Sequence, residues 1–345
     1  MKTSDFAYHL PEELIAQTPL NPRDSSRMLV CNRDDDRRAG HVFREFPDFL
    51  RPQDVLVLNH TRVIPARLLG TKEGTGAAVE FLLLKRLHQN EWEAMVRPGR
   101  RLREGTVVSF GDGLLQATVG ETLPEGLRSV TFHYEGVFEH VLDRLGEMPL
   151  PPYIHEKLQD TERYQTVYAK LDGSAAAPTA GLHFTQDVLD RVRALGVDVV
   201  PILLHVGLGT FRPVKEEQVE DHPMHSEFYE VDEDAARRIN AARQSGGRIV
   251  CVGTTTVRTL ETVTDEAGTV HAGRGETSIF LRPGSEFRAT DVLLTNFHLP
   301  QSTLLMLVSG FMGTHRALDA YEEAVKERYR FFSFGDCMLI GKGLV

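Results

Sequence analysis

The chain has 345 residues, enough for two domains. It is 41% hydrophobic and 26% charged, the balance of an ordinary folded protein rather than a disordered, collagenous or repeat-built one. A formal net charge of −10 excludes a broadly basic surface, so a nucleic-acid partner would need a local cationic patch. Three cysteines, Cys31, Cys251 and Cys337, with no C-x-x-C spacing, argue against a disulfide framework or a thiolate zinc site and fit a reducing compartment. The opening Met1-Lys-Thr-Ser-Asp-Phe is polar and lacks the apolar stretch of a secretion signal. The longest apolar run, Leu304 to Phe311, is far short of the roughly 20 residues of a membrane span. A soluble cytoplasmic protein with no membrane partner is expected.

In chain order, Leu10 to Gln17 begins with Pro11 and two acids, a helix-start pattern. The turn-rich Thr18 to Arg27 holds Arg23 and Arg27, whose forked donors suit a phosphate or a carboxylate as well as plain solvation. Met28 to Cys31 reads as a short strand, Asp34 to Arg38 as a charged turn, and His41 to Leu50 as a short strand and helix. Asp54 to Leu58 is a buried strand that ends in Asn59-His-Thr-Arg-Val-Ile-Pro-Ala-Arg67. Polar groups past the carboxyl end of such a strand are where open α/β sheets put ligands, so Asn59, Thr61 and Arg62 are candidates.

From Ile64 the texture changes to alternating runs: 66–70, 78–86, 91–97, 106–110, 114–119 and 128–134, separated by Gly- or Pro-containing turns. That spacing predicts a small all-β barrel or sandwich. A helix over 138–145 and Pro149-Leu-Pro-Pro152 close it. The expected organisation is therefore a β-barrel domain over 63–151 inserted into an α/β domain formed by 1–62 and 152–345. The barrel carries one basic cluster, Arg97, Arg100, Arg101 and Arg103, dense enough to neutralise phosphates and equally compatible with a solvated turn.

Asp160 to Tyr168 predicts a helix bearing Tyr164, Gln165 and Tyr168. Ala177-Pro-Thr-Ala-Gly-Leu-His-Phe-Thr185 reads as a loop that opens a helix over 186–195, with Thr185 as its cap. Gly181 allows a close backbone approach, and His183 and Phe184 sit just ahead of the cap, where free N–H groups favour an anion or a ligand carboxylate. A buried strand over 199–204 ends in His205-Val-Gly-Leu-Gly-Thr-Phe-Arg-Pro213, bringing Gly207 and Thr210. In Asp221-His-Pro-Met-His225-Ser-Glu227 the H-x-x-H has no third ligand nearby, so proton transfer by His225 or Glu227 fits better than a metal. A helix over 232–245 follows.

A third buried strand, 248–252, runs into Gly253-Thr-Thr-Thr-Val-Arg258 and a helix over 256–262. Thr254 and Thr255 there offer hydroxyls beside N–H groups. The turn lacks the Lys of a P-loop, and no G-x-G-x-x-G follows a strand, which argues against a dinucleotide fold. A strand over 276–281, a fourth buried strand over 291–295 ending in Asn296-Phe-His298, helices over 303–312 and 314–328, and a final short strand complete the chain.

Four buried strands thus end in polar clusters, three of which contain a histidine, His60, His205 and His298, and His183 joins that rim. Each alone could be a packed residue. Together they suit proton transfer near neutral pH. No Ser-His-Asp or Cys-His signature points to acyl chemistry. Two other readings stay open on these residues: a nucleoside or sugar-phosphate hydrolase, and a non-catalytic tRNA-binding protein.

The blocks Leu10–Gln17, Val57–Arg67, Ala177–Thr185, His205–Phe211, Gly253-Thr-Thr-Thr-Val-Arg-Thr-Leu-Glu261, Thr295-Asn-Phe-His-Leu-Pro300 and Tyr329-Arg-Phe-Phe-Ser-Phe-Gly-Asp336 come in an order that resembles the S-adenosylmethionine:tRNA ribosyltransferase-isomerases of queuosine biosynthesis. His60 stands where that family often has a second Asn. The resemblance implies an α/β-barrel-like main domain with an inserted small antiparallel β-barrel. It implies transfer and isomerisation of the ribosyl part of S-adenosylmethionine onto 7-aminomethyl-7-deazaguanine at the tRNA wobble position. The product is epoxyqueuosine-tRNA, with adenine and methionine released. It implies no metal and no cofactor beyond S-adenosylmethionine as co-substrate, and a monomer is expected. On this reading His183, His205 and His298 are the candidate acid and base groups. Asn59, Thr61, Arg62, Thr179, Gly181, Gly207, Thr210, Thr254, Thr255 and Asn296 hold the small substrates. Arg97, Arg100, Arg101 and Arg103 face the tRNA, with Arg316 and Arg328 as further candidates.

Overall fold

A computed structural model describes residues 1–156, 158–207 and 214–345. Thr210 lies outside them. The chain divides into two compact units, one of Met1–Thr61, Pro152–Leu171 and Ala177–Val345, the other of Arg62–Pro151 and Asp172–Ala176. The short return of 172–176 to the second unit carries no signal in the sequence.

The larger unit is organised around a nine-stranded mixed sheet. At its centre Asp198–Leu204, Val55–Asn59, Ile249–Val252 and Val292–Asn296 lie side by side and parallel. These are the four apolar runs of the sequence, each within a residue or two of its expected bounds. They read as continuous hydrophobic segments because both faces are covered. On one side Cys337–Gly341 pairs antiparallel with Val292–Asn296, followed by Arg27–Asn32 and Arg38–Val42. On the other, Glu227–Val231 and Gly273–Thr277 extend the sheet antiparallel.

Side chains alternate along each strand. Val55, Val57, Ile249, Cys251 and Leu293 enter a core shared with helices Glu233–Gln244, Thr254–Val263, Thr303–Met312 and Thr314–Lys326. Leu56, Leu58, Val250, Val252 and Leu294 face the opposite core, with helix Gln186–Ala194 and Phe43 and Phe46. Three of these helices start on side-chain caps: Thr185 accepts from the Val188 N–H, Asp232 from Ala235 and Ser302 from Leu305. Each such cap stabilises its helix by about 1 kcal/mol.

The smaller unit is an antiparallel barrel. Arg67–Lys72, Ala78–Arg86, Glu91–Arg97, Arg128–Tyr134, Leu115–Thr122 and Val107–Phe110 pair in that order, and the last returns to pair with the first. Alternating residues such as Phe81, Trp92, Phe110 and Phe132 fill its interior, joined by Phe138 and Leu142 of helix Phe138–Leu145. Gly70 permits the closure, since a Cβ there would collide with the Phe110 ring. The α/β fold with a small antiparallel β-barrel set into the chain is thus the observed class.

Three expected elements differ. The helices over 10–17 and 160–168 reduce to single 3-10 turns, Glu12–Leu14 and Thr161–Tyr164. The strand expected at 276–281 lies at Gly273–Thr277.

Candidate active site

Because the four central strands are parallel, their carboxyl ends form one rim, the place where open α/β sheets bind ligands. Most of the sequence-derived candidates lie along it.

The first group centres on His183. Phe184 is buried against Phe43 and Phe46, with ring centroids 4.9 and 5.5 Å away. Thr185 caps the helix that follows. Held from that side, the 3-10 turn Thr179–His183 delivers His183 to the end of Val292–Asn296. Asn296 Nδ2 lies 3.1 Å from His183 Nε2 and donates to the Phe332 carbonyl at 3.1 Å. The second contact fixes the amide, because only its nitrogen can face a carbonyl. Nε2 of His183 is therefore an acceptor, and Nδ1 carries the proton and donates to Ser26 Oγ at 2.8 Å. Burial, reinforced by the charges of Arg330 and Arg23, pushes the His183 pKa down to about 3. His183 is thus a neutral imidazole with both nitrogens committed. Asn296 Oδ1 is left buried without a partner.

The same turn meets the next strand end. Gly253 has φ +85° and donates its N–H to the Leu294 carbonyl, and a Cβ on it would sit 3.5 Å from Ala180 and 3.6 Å from Thr255 Oγ1. Helix Thr254–Val263 starts there with no side-chain cap. Thr255 Oγ1 is buried and unpartnered. Thr254, also buried, is its first residue, whereas Thr179 is only partly covered. Gly181 has a packing reason for its size: a side chain would run into the Tyr168 hydroxyl and come within 2.7 Å of Thr166.

A second group lies at the ends of Val55–Asn59 and Asp198–Leu204. Asn59 is fully buried and holds both strands. It donates to the Leu204 carbonyl at 2.8 Å and accepts the N–H groups of Leu204 and Thr61, both at 3.1 Å. This makes Asn59 a clamp on the rim rather than a free ligand contact. Thr61 Oγ1 lies 2.9 Å from His205 Nδ1. Nε2 of His205 has no partner among the described residues. Burial, then the neighbouring His60, pushes the His205 pKa down to about 4.

His298 does not join either group. Its Nε2 bonds Thr295 Oγ1 at 2.9 Å, its N–H bonds the Tyr321 hydroxyl, and its carbonyl accepts from Tyr8. Asn296 follows Val292 and Leu294 onto one face of the strand, while Thr295 follows Leu293 onto the other. Burial holds the His298 pKa near 3, as a packed core residue.

Gly207 donates its N–H to Glu227 Oε1 at 2.8 Å. Glu227 is buried in an ion pair with Arg258, and His225 Nε2 lies 3.2 Å from it. Burial would raise the Glu227 pKa, but Arg258, His225 and the Gly207 N–H hold it at about 2. A carboxylate pinned in this way is a structural anion, not a proton shuttle. The other histidine of the H-x-x-H, His222, pairs with Glu216 at 2.8 Å. Among the described residues no group of three or more His, Cys, Asp and Glu is arranged to hold a metal ion.

Arg62 belongs to the barrel unit, 3.8 Å from Asp172. Arg97, Arg100, Arg101 and Arg103 are exposed on that unit, and none forms an ion pair among the described residues. Arg316 and Arg328 pair with Asp36 and Glu13. Arg27 pairs with Glu327 and stacks over Tyr329.

Sequence reasoning missed Ser26, Arg163 and Ser333, which line a small cavity with Arg23 and His183. It also missed Arg258 as a buried cation. Arg258 stood inside a quoted block, but its neighbours three and four residues away on the helix, Thr254, Thr255, Glu261 and Thr262, are polar, so the pattern carried no sign of its burial.

The fold is that of a two-unit α/β protein: parallel strands end in histidine, threonine and asparagine, where such sheets bind small molecules, and the same chain carries an antiparallel barrel. The chain belongs to the family described as queuosine biosynthesis protein, which it matches over residues 3–340. A relative from Symbiobacterium thermophilum named S-adenosylmethionine:tRNA ribosyltransferase-isomerase is 61% identical over 340 residues, 99% of this chain and 100% of the relative. One of the same name from Clostridioides difficile is 55% identical over the same extent. The crystal structure of the S-adenosylmethionine tRNA ribosyltransferase from Thermotoga maritima is 38% identical with a TM-score of 0.56, covering 98% of this chain and 100% of that one.

Proposed function

We propose that this enzyme transfers the ribosyl part of S-adenosylmethionine to the aminomethyl group of a 7-deazaguanine at the wobble position of tRNA and isomerises it to the epoxycyclopentane. The observation that carries the reading is end-to-end identity of 61% to a protein of that name, with the rim of candidate groups in the larger unit as its physical counterpart.

The chemistry asks for one base. The sulfonium acidifies the C5′ hydrogens of the ribose, so a weak base suffices to remove one. His205 is the fitting group. Its low pKa keeps it unprotonated at neutral pH, and in the tautomer whose Nδ1–H donates to Thr61 Oγ1 its Nε2 is the nitrogen that accepts the proton. His183 acts as a neutral positioning residue between Ser26 and Asn296. His298 has no part in the chemistry. Methionine departs with the electron pair of its C5′–S bond. Adenine departs with the pair of its glycosidic bond and takes up a proton. The amine nitrogen forms the new C–N bond to the ribose-derived carbons as these two bonds break and gives up a proton. With the C5′ proton removed and adenine taking one up, one proton is released per turnover, which balances the sulfonium charge. Thr255 Oγ1 and Asn296 Oδ1, buried polar atoms with no partner among the described residues, are the hydrogen-bonding atoms we assign to the nucleoside, with Thr179 and Thr254 beside them. Thr210 is kept as a further contact. No cofactor besides the co-substrate is invoked, and the four barrel arginines are assigned to tRNA phosphates.

We read the enzyme as a cytoplasmic monomer. Its three cysteines are free and buried, and no described helix is long and apolar enough to cross a membrane. The test is transfer of label from ribose-labelled S-adenosylmethionine to precursor-bearing tRNA. Wild-type protein should make the tRNA radioactive, and methyl-labelled substrate should not. His205→Gln should lower the rate by about 100-fold or more, the usual scale for a lost general base, while His298→Gln should stay within a few-fold of wild type. Equal rates for wild type and His205→Gln would remove His205 from the mechanism.

A further inference from the structure

The cavity beside His183 is rich in donors and poor in acceptors. Arg23, Ser26, Arg163 and Ser333 line it with the His183 ring, between apolar walls that include Leu182 and Phe334. Among the described residues no carboxylate lines it. Since His183 donates to Ser26 Oγ, the Ser26 hydroxyl proton has no acceptor among the described residues, and Ser26 is 2% exposed. Arg163 gives one terminal N–H to the Leu20 carbonyl, while its Nε is buried and unpartnered. Arg23 gives N–H groups to the Gln165 and Glu162 carbonyls at 2.7 and 2.8 Å, and each terminal nitrogen keeps a second N–H.

These guanidiniums are balanced only at a distance. Asp160 and Glu162 act on Arg23. Asp336 is occupied by the backbone N–H groups of Arg27 and Arg330, both at 2.7 Å. Buried donors without acceptors are rare enough to call for an explanation. Two arginines flanking a serine hydroxyl match a planar oxyanion. The space is about 20 Å³, close to the minimum for a single water. The end of a terminal carboxylate is of the size of that space.

We propose that this cavity seats the α-carboxylate at the methionine end of S-adenosylmethionine, with Arg23, Arg163 and Ser26 as its donors. The assignment rests on the ribosyl-transfer reading above. It makes the methionine end, rather than the nucleoside alone, a determinant of which sulfonium is accepted.

The experiment compares kcat/KM for S-adenosylmethionine and for its decarboxylated analogue at saturating tRNA, in wild type, Ser26→Ala and Arg163→Gln. Wild type should prefer the carboxylated substrate by roughly 10- to 100-fold, the range for charge-assisted hydrogen bonds. Each variant should lose most of that preference through a raised KM for S-adenosylmethionine, with tRNA affinity within about two-fold of wild type. The wild-type comparison stands by itself should a variant fail to fold. Wild type accepting both substrates equally would overturn the carboxylate seat and leave the functional reading intact. A variant with weaker tRNA binding, a smaller salt slope and an intact preference would give the cavity to a phosphate and overturn it as well. Wild type that uses neither sulfonium would remove the functional reading along with the seat.

Discussion

An imidazole whose two nitrogens are both committed inside the protein is a scaffold, and His183 is in that position. Three histidines, His183, His205 and His298, have pKa values pushed below the ordinary 6.5, chiefly by burial. The native state therefore binds fewer protons than the unfolded chain once the pH drops below the unfolded value. Their contribution to stability is complete above about pH 6.5 and is lost progressively as the solution is acidified towards their folded pKa values. Each fully buried one should account for a slope of about 1.4 kcal/mol per pH unit between roughly pH 6 and roughly pH 4. Urea unfolding over that range should show stability falling with acid, and His298→Gln should flatten the curve by one such increment. A slope unchanged in His298→Gln would mean that this imidazole is not held neutral.

At the scale of elements, the turn Thr179–His183 is what joins sequence to site. Its position depends on Gly181, whose hydrogen faces the Tyr168 hydroxyl and the Thr166 methyl. Gly181→Ala should displace the turn, cost about 1–3 kcal/mol in stability as an overpacked site does, and reduce ribosyl transfer more than stability alone accounts for. A companion Tyr168→Phe change should recover part of both, and thermal melts alongside the transfer assay would measure it. No recovery would place the strain elsewhere.

The elements that sequence patterning found are those with a strong periodic signature. The central strands are apolar throughout because both faces are covered, and the six barrel strands alternate because one face fills the interior. Patterning failed where tertiary contacts decide the conformation. Leu14 and Ala16 are buried while Ile15 makes a bridge to Phe331, so that segment is extended where its composition suggests helix. Gly273 and Gly275 lie against the Tyr229 ring in a strand that a Gly-Arg-Gly run does not suggest. The rim was legible because polar residues followed buried strands. Ser26 was not, since nothing near it in sequence indicates a partner 157 residues away.

For the whole molecule, the net charge of −10 makes a local cationic surface necessary for a polyanionic substrate. The four exposed barrel arginines, none of them in an ion pair among the described residues, are the surface we propose for it. Replacing Arg97, Arg100, Arg101 and Arg103 with Gln should weaken tRNA binding and reduce the slope of log affinity against log salt by up to about 3–4. An unchanged slope would assign the tRNA to another surface.

The central claim is that one enzyme takes the ribosyl group of a sulfonium nucleoside and rebuilds it on a modified base in tRNA. The most direct measurement is mass spectrometry of the nucleosides after incubation with S-adenosylmethionine and precursor-bearing tRNA. The account predicts conversion of the aminomethyl-deazaguanosine to the epoxycyclopentane nucleoside, with adenine and methionine formed in equal amount and only when both substrates are present. Adenine released without tRNA, or tRNA bound with its nucleosides unchanged, would contradict it.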